Sequence, residues 1–468
     1  MRLNWQDLGS GRADMANGDT IEIGGFAASA LPGSGAAHFI LTSEPGCCAG
    51  CFPRDFTASV EVFAASPITM RGELLRLAGT WRVRSHEPSG WRYQLHGARV
   101  MEPPGWRSVT RRSVLATGPL MCLAASAAAT TPDATAQRQA DARRAIQAAP
   151  SVDLHSHAGG IASVRRMRDN QPFGAVATPM RQGGMAVICL AVVSDGPTHK
   201  ITGNGRIHPY RDPDPGELYE YAQLAFGRVH GLARDQGLAL VRKVADLRAA
   251  RAGTASAIIS AEGADFLEGK IDRVDEAYAK WALRHLQLTH YRVNELGDIQ
   301  TEPAVHGGLT DFGVEVIRRC NRIGMVVDVA HGTYELVQRA ASVTTKPLIL
   351  SHTSLSDVSK AYTRRITSAH ARMIASTGGV IGVWPPASEF VSLTAMATGM
   401  ARLVDVVGVD HVGLGTDMTG LVGPSVLPDY DQLPGLAEAL VGVGFSVADT
   451  TKLLGGNYVR VFEASMVT

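Results

Sequence analysis

An α/β fold, a closed (β/α)8 TIM-type barrel preceded by a small all-β domain, is predicted by three features of this 468-residue chain. From about residue 150 onward, short apolar and β-branched runs alternate with longer segments of helical period. Eight such runs can be counted, the number that closes a parallel barrel. Side chains able to bind metal or move protons stand at the ends of six of them, where chemistry gathers in this fold. The first hundred residues, by contrast, show only short β-rich runs separated by Gly, Pro and Ser.

In chain order, residues 1–104 form the β-rich domain, with strands expected at 20–26, 38–42, 59–63, 74–83 and 91–100. Its most pointed feature is PGCCAGC at 45–51, where Cys48 and Cys51 make a C-x-x-C beside Cys47. A thiolate metal site wants four ligands, which His38, His86 or His96 could complete; a reduced loop or a disulfide explains the same residues. The segment LTSEPGCCAGCFPRD resembles a family of small bacterial domains of unknown function, which implies a shape and no activity.

Residues 105–142 read as a signal or a linker. SVTRRSVLATGPLMCLAASAAATTPDATAQ at 108–137 has a twin arginine (Arg111, Arg112), Leu115 in an apolar run, then small residues. It resembles a twin-arginine export signal, and Met101 would open it in the normal layout. On that reading the protein is exported, in the periplasm, and its mature chain begins between Ala127 and Ala140. The competing reading is an Ala-rich linker in a cytoplasmic protein. Gly118 and Pro119 interrupt the run, so residues 108–129, the only route to membrane association, are short for a span of roughly 20 residues.

Residues 143–468 carry the barrel. Strands are expected at 152–155, 185–193, 257–262, 285–290, 325–331, 347–352, 380–384 and 412–417, and helices at 216–232, 275–283, 310–323, 333–341 and 369–376. A net charge of +1 offers no field for gathering nucleic acid or an anionic membrane surface. Small molecules, and a second copy of the chain in a homodimer, remain as partners.

The strand ends read DLHSH at 153–157, ISAEG at 259–263, VVDVAH at 326–331 and LILSH at 348–352. His155, Glu262, His290, His331, His352 and Asp417 each close a run. One histidine after a strand is usually a hydrogen-bonded rim residue. Six such ends in a chain with 15 histidines point instead to a metal site. A dinuclear site implies a hydrolase, because two cations sharing one carboxylate can make hydroxide from water near neutral pH.

From about Ala145 to Phe462 the chain resembles the membrane dipeptidase (renal dipeptidase-like) family of zinc metallopeptidases. The matching motifs are His155 and His157, Glu262 in AEG, LTHYRVNELGD around His290, GLTDFGVEVIRRCNRIGMVVDVAH ending at His331, LSHTS at His352, GLGTDM at Asp417 and KLLGGNYVRVF. The resemblance implies two Zn²⁺ per chain bridged by Glu262, with His155 and His157 on one ion and His331 and His352 on the other. It implies a metal-bound hydroxide as nucleophile, Asp417 as general base and then acid, and His290 as oxyanion stabiliser and substrate contact. Arg364 would clamp the substrate carboxylate, with Arg365 as its competitor. Two departures bear on substrate. The family's His-x-Asp is here His-Ser-His, and Met418, Thr419 and Gly420 follow Asp417 where a further acidic residue is common. The leading expectation is therefore a zinc dipeptidase acting on small peptides. The alternative is a metal-dependent amidohydrolase for N-acyl amino acids, lactams or lactones, and a non-catalytic scaffold stands third.

Overall fold

The structure is a computed structural model that describes residues 3, 5–9, 12–28, 36–42, 59–68, 75–83, 93–101, 132–203, 206–356 and 363–467. The chain divides into two compact units, Met1–Thr130 and Thr131–Thr468.

The first unit is a five-stranded closed barrel built from β1 (Thr20–Ala28), β2 (Ala36–Thr42), β3 (Ser59–Ile68), β4 (Leu75–Val83) and β5 (Tyr93–Val100) in the order β1-β2-β3-β5-β4. Pairing is antiparallel except between β3 and β5. Closure leaves no open sheet edge to pair with another chain. Alternate residues of β4 point inward, so Leu75, Leu77 and Trp81 join Ile21, Leu41, Val62 and Leu95 in one core. The two aromatic cores with polar tips find acceptors: Trp81 donates to the Ala13 carbonyl at 2.8 Å and Tyr93 to that of Leu8 at 3.0 Å. Cys47, Cys48, Cys51 and His86 lie outside the described residues, as do Arg111, Arg112 and the apolar run after them. His96 is 3.0 Å from the Gln94 amide oxygen and stacks on Phe63.

The second unit opens with α1 (Pro132–Ala148), which occupies the end of the 105–142 stretch and buries Ala142 and Ile146 in the barrel's helical shell. Eight parallel strands follow: β6 (Val152–Ser156), β7 (Val187–Val193), β8 (Ser256–Glu262), β9 (Leu283–Gln287), β10 (Val326–Asp328), β11 (Leu348–Thr353), β12 (Val380–Val383) and β13 (Val412–Leu414). Each pairs with the next and β13 returns to β6, closing the barrel. The eight-stranded barrel expected from the sequence is thus the fold, with strand ends that differ. The runs expected to close on His290, His331 and Asp417 stop at Gln287, Asp328 and Leu414, each three residues short. Those three side chains stand on loops above the strands.

The strands are buried on both faces, as parallel barrel strands must be. Ile188, Leu190 and Val192 of β7 point outward to the helices, whereas Val187 and Cys189 point inward. The inner layer is floored by the C-terminal helix α2 (Asn457–Ser465), whose Tyr458, Val461 and Phe462 pack against Val152, Val187, Ile258, Val326 and Val380. With that floor in place, the chemistry-bearing side chains gather at the opposite, carboxyl end. Helices after the site loops begin on hydroxyl caps: Thr310, Thr333, Thr367 and Ser392 accept from the backbone three residues on, each fixing where a loop ends. Among the described residues no helix is long and apolar enough to cross a membrane.

Candidate active site

Glu262, the last residue of β8, is 2% exposed at the barrel's carboxyl end and is surrounded by imidazoles. Its Oε1 lies 3.3 Å from His155 Nε2, 3.2 Å from His331 Nε2 and 3.5 Å from His352 Nε2. Its Oε2 lies 3.0 Å from His157 Nε2 and 3.2 Å from His290 Nε2. His155 and His157 come from the single strand β6 and its end. Asp417 closes the far side, with Oδ1 3.4 Å from His157 Nε2. Every candidate ligand expected from the sequence is therefore gathered at one carboxylate.

The backbone is shaped to do this. His331 and Asp417 take left-handed conformations, with φ of 68° and 50°, which non-glycine residues adopt at a cost and which turn their side chains back over the barrel mouth. Gly263 follows Glu262 at φ 80°, and a Cβ there would lie 2.6 Å from Asp265 Oδ2.

The donor set fits divalent cations. Two ligands of one tetrahedral ion, each at about 2.0–2.1 Å, stand about 3.3 Å apart, and the separations around Glu262 are 3.0–3.5 Å. The Nε2 atoms of His331 and His352 face each other at 3.0 Å, and those of His155 and His157 at 3.2 Å. Two bare imidazole nitrogens repel at such distances unless a cation lies beside them. Burial holds His331 and His352 well below the usual imidazole range, so both are neutral and able to ligate, and the nearby Arg364 charge adds to this. His157 donates from Nδ1 to the Ala191 carbonyl at 2.8 Å, which turns Nε2 toward Glu262. Burial opposes charge on Glu262, but the surrounding imidazoles, His290 foremost, hold it ionised well below its ordinary range.

Arg364 is half-buried beside this cluster, donating to Gln300 Oε1 at 2.8 Å and to the His352 carbonyl at 3.3 Å, with its guanidinium over Trp384. Arg365 instead makes 2.8 and 2.6 Å contacts to Glu389.

Several residues that shape the site were not anticipated. Asp195, two residues past β7, bonds to His290 Nδ1 at 2.6 Å. Gln300 holds Arg364 from the loop after His290. Asp153, at the base of the first motif, accepts from Thr416, the neighbour of Asp417, through both its N–H and its hydroxyl, and from Tyr430. Asp195 follows an expected strand and could have been found by the same strand-end rule. Gln300 carries no periodic or motif signal.

The family model for membrane dipeptidases, peptidase family M19, matches residues 141–467. The chain belongs to that family. Among curated relatives, dipeptidase aclJ of Aspergillus oryzae is 30% identical over 218 residues, 45% of this chain and 51% of its own length. The chain spans about half the length of the curated relatives it matches. Among solved structures, the probable dipeptidase PvdM of Pseudomonas aeruginosa superposes with a TM-score of 0.59 at 17% identity, over 72% of this chain and 99% of that one. A metallo peptidase of Rhodobacter sphaeroides, liganded with a phosphinate mimic of the dipeptide L-Ala-D-Ala, gives 0.58 at 22%, over 68% and 99%. These likenesses place the second unit in the barrel fold of membrane dipeptidases.

Proposed function

We propose that this M19 chain is a zinc-dependent dipeptidase that hydrolyses the peptide bond of short peptides, with two zinc ions per chain. The observation that carries the reading is the convergence of five imidazole Nε2 atoms within 3.5 Å of the two oxygens of Glu262, with Asp417 and Arg364 at its margins. His155, His157, His331, His352 and Glu262 would hold the ions, Glu262 from both oxygens. When bound, the ions would supply Lewis acidity that polarises the scissile carbonyl and lowers the pKa of water toward about 7.

The remaining roles belong to side chains. Asp417 takes a proton from the attacking water and returns it to the leaving amine, so that water and peptide give a carboxylic acid and a free amine. Burial raises its pKa above the ordinary carboxylate range, although His157 opposes the shift; this brings it closer to the pH at which a proton shuttle works. His290 faces the carbonyl oxygen as a hydrogen-bond donor. Burial alone would lower its pKa, but Asp195 and Glu262 raise it to about 9. Arg364 receives the substrate carboxylate, a reading supported by the engagement of Arg365 with Glu389. A homodimer and export through residues 108–137 belong to the same reading. N-terminal sequencing and fractionation of the native protein, with and without Arg111→Lys and Arg112→Lys, test the export.

A second reading, an amidohydrolase for N-acyl amino acids, lactams or lactones, is favoured by one observation. His157 stands at the motif position where the family carries an aspartate, which removes a negative charge from the site and leaves Asp417 as the acidic group beside it. Turnover of dipeptides, including those with a C-terminal D-residue, against N-acyl amino acids and lactones by zinc-loaded protein decides between them. Hydrolysis of the acylated compounds alone would overturn the dipeptidase assignment.

A further inference from the structure

Asp195 is 0% exposed and spends both oxygens on one neighbouring pair of residues. Its Oδ1 is 2.6 Å from His290 Nδ1, and its Oδ2 accepts the Tyr291 N–H at 3.0 Å. The opposite ring nitrogen of the same histidine, Nε2, is 3.2 Å from Glu262 Oε2. His290 sits three residues past the end of β9, on a loop, so the strand does not fix its ring.

We propose that Asp195 is the positioning residue of His290, binding ring and backbone together so that Nδ1 is the fixed donor and Nε2 alone is presented to the substrate. One carboxylate bonded both to a ring nitrogen and to the following backbone N–H sets the ring plane relative to the loop. A flipped ring would put a carbon against Asp195 and lose the charge-assisted bond.

Asp195, His199 and His290 together have the composition of a cation site. The distances separate this cluster from the one around Glu262. At 2.6 Å, Asp195 and His290 are closer than the roughly 3.3 Å between two ligands of one tetrahedral ion, and the contact is a direct hydrogen bond. His199 Nδ1 lies 3.3 Å from the same Oδ1, farther than His290 Nδ1 at 2.6 Å, so the tighter partner of that oxygen is His290.

The proposal rests on the hydrolase reading only for its kinetic consequence, and the experiment keeps the two apart. In the zinc-loaded full chain with ¹⁵N-labelled histidine, a downfield ring N–H resonance is expected in the parent and absent in both Asp195→Ser and His290→Ala. Turnover of Asp195→Ser should fall about 10- to 100-fold with KM nearly unchanged and zinc content at the parent value. The double variant should be no slower than His290→Ala, because a residue acting only through His290 has nothing further to lose. A merely structural aspartate would give multiplicative losses and a lower thermal midpoint. Persistence of the resonance in Asp195→Ser, or multiplicative losses, overturns the proposal. If the parent cleaves no amide at all, the hydrolase reading fails while the resonance still decides Asp195. Should Asp195→Ser not fold, Asp195→Asn keeps the size and must move the resonance upfield; an unmoved resonance overturns the proposal equally.

Discussion

Gly420 is the position at which the smallest possible addition should do the most damage. It lies three residues after Asp417, and its N–H closes a turn onto the Asp417 carbonyl at 2.9 Å. Its φ lies outside the left-handed region, so alanine is allowed by the backbone and the obstacle is space alone. A Cβ there would stand 2.2 Å from Asp417 Oδ1 and 2.4 Å from His157 Cδ2, whereas ordinary Cβ contacts begin at 3.4 Å. One or both side chains must therefore retreat by roughly 1 Å, a displacement that costs about 100-fold in rate when it falls on a reacting group. Overpacking adds about 1–3 kcal/mol of destabilisation. Neither side chain has slack, since His157 is 1% and Asp417 9% exposed, and they are already 3.4 Å apart.

The assay is turnover and zinc content of Gly420→Ala. A turnover drop of about 100-fold with zinc retained would mean that Asp417 gave way; the same drop with zinc below the parent value would mean that His157 did. Parent turnover with the parent zinc content would refute the claim that this glycine exists to let the ligand and the proton shuttle approach each other.

Four further outcomes follow from the same geometry. Glu262→Ala should abolish activity and bring zinc well below two per chain by elemental analysis, since both oxygens face imidazoles; retention of two tight zincs would remove the bridging assignment. Asp417→Asn should cut turnover by about 100-fold or more with normal zinc content, and parent turnover would exclude it as the shuttle. Arg364→Ala should raise KM about tenfold or more for peptides with a free C-terminal carboxylate and little for amidated ones, and equal effects would move the clamp elsewhere. His370 is held at a pKa of about 4 by burial and by the Arg364 charge, below its unfolded value near 6.5, so the folded state binds fewer protons and stability is lost as pH falls from about 6.5 to 4. His370→Phe should flatten that decline by up to about 3 kcal/mol and also remove a ring nitrogen with no partner; parallel curves of thermal midpoint against pH for parent and variant would exclude the mechanism.

The barrel was legible because its strands are buried on both faces and its helices on one, which writes two different periods into the chain. The candidate ligands were legible for a related reason. A polar side chain at the end of a wholly apolar run, such as Glu262 after SAIISA, has few roles apart from the site. Strand ends were less so. VVDVAH reads as one continuous β run through His331, yet the ladder stops at Asp328 because the chain must rise and turn over the mouth. Gln300 stands in a loop, where a single polar residue carries no period, and its importance comes from a partner 64 residues away along the chain.

The strained residues show why the buried aspartates of the motifs are acidic at all. His331 and Asp417 both occupy left-handed conformations that cost about 1–2 kcal/mol each for a residue with a Cβ. In each case the preceding residue is tied down by a buried carboxylate from below. Asp328 Oδ1 accepts the N–H of Ala330, just before His331, and that of Ser351, just before His352. Asp153 Oδ1 accepts the N–H of Thr416, just before Asp417, and that of His155. Each carboxylate thus joins two neighbouring strand ends at the point where a site residue leaves the regular ladder. Four charge-assisted bonds to backbone, each worth about 1.5–3 kcal/mol, are enough to offset the strain of two left-handed residues. The D in DLHSH and the D in VVDVAH are therefore read as the fastenings of the strained turns, while the histidines beside them face the chemistry.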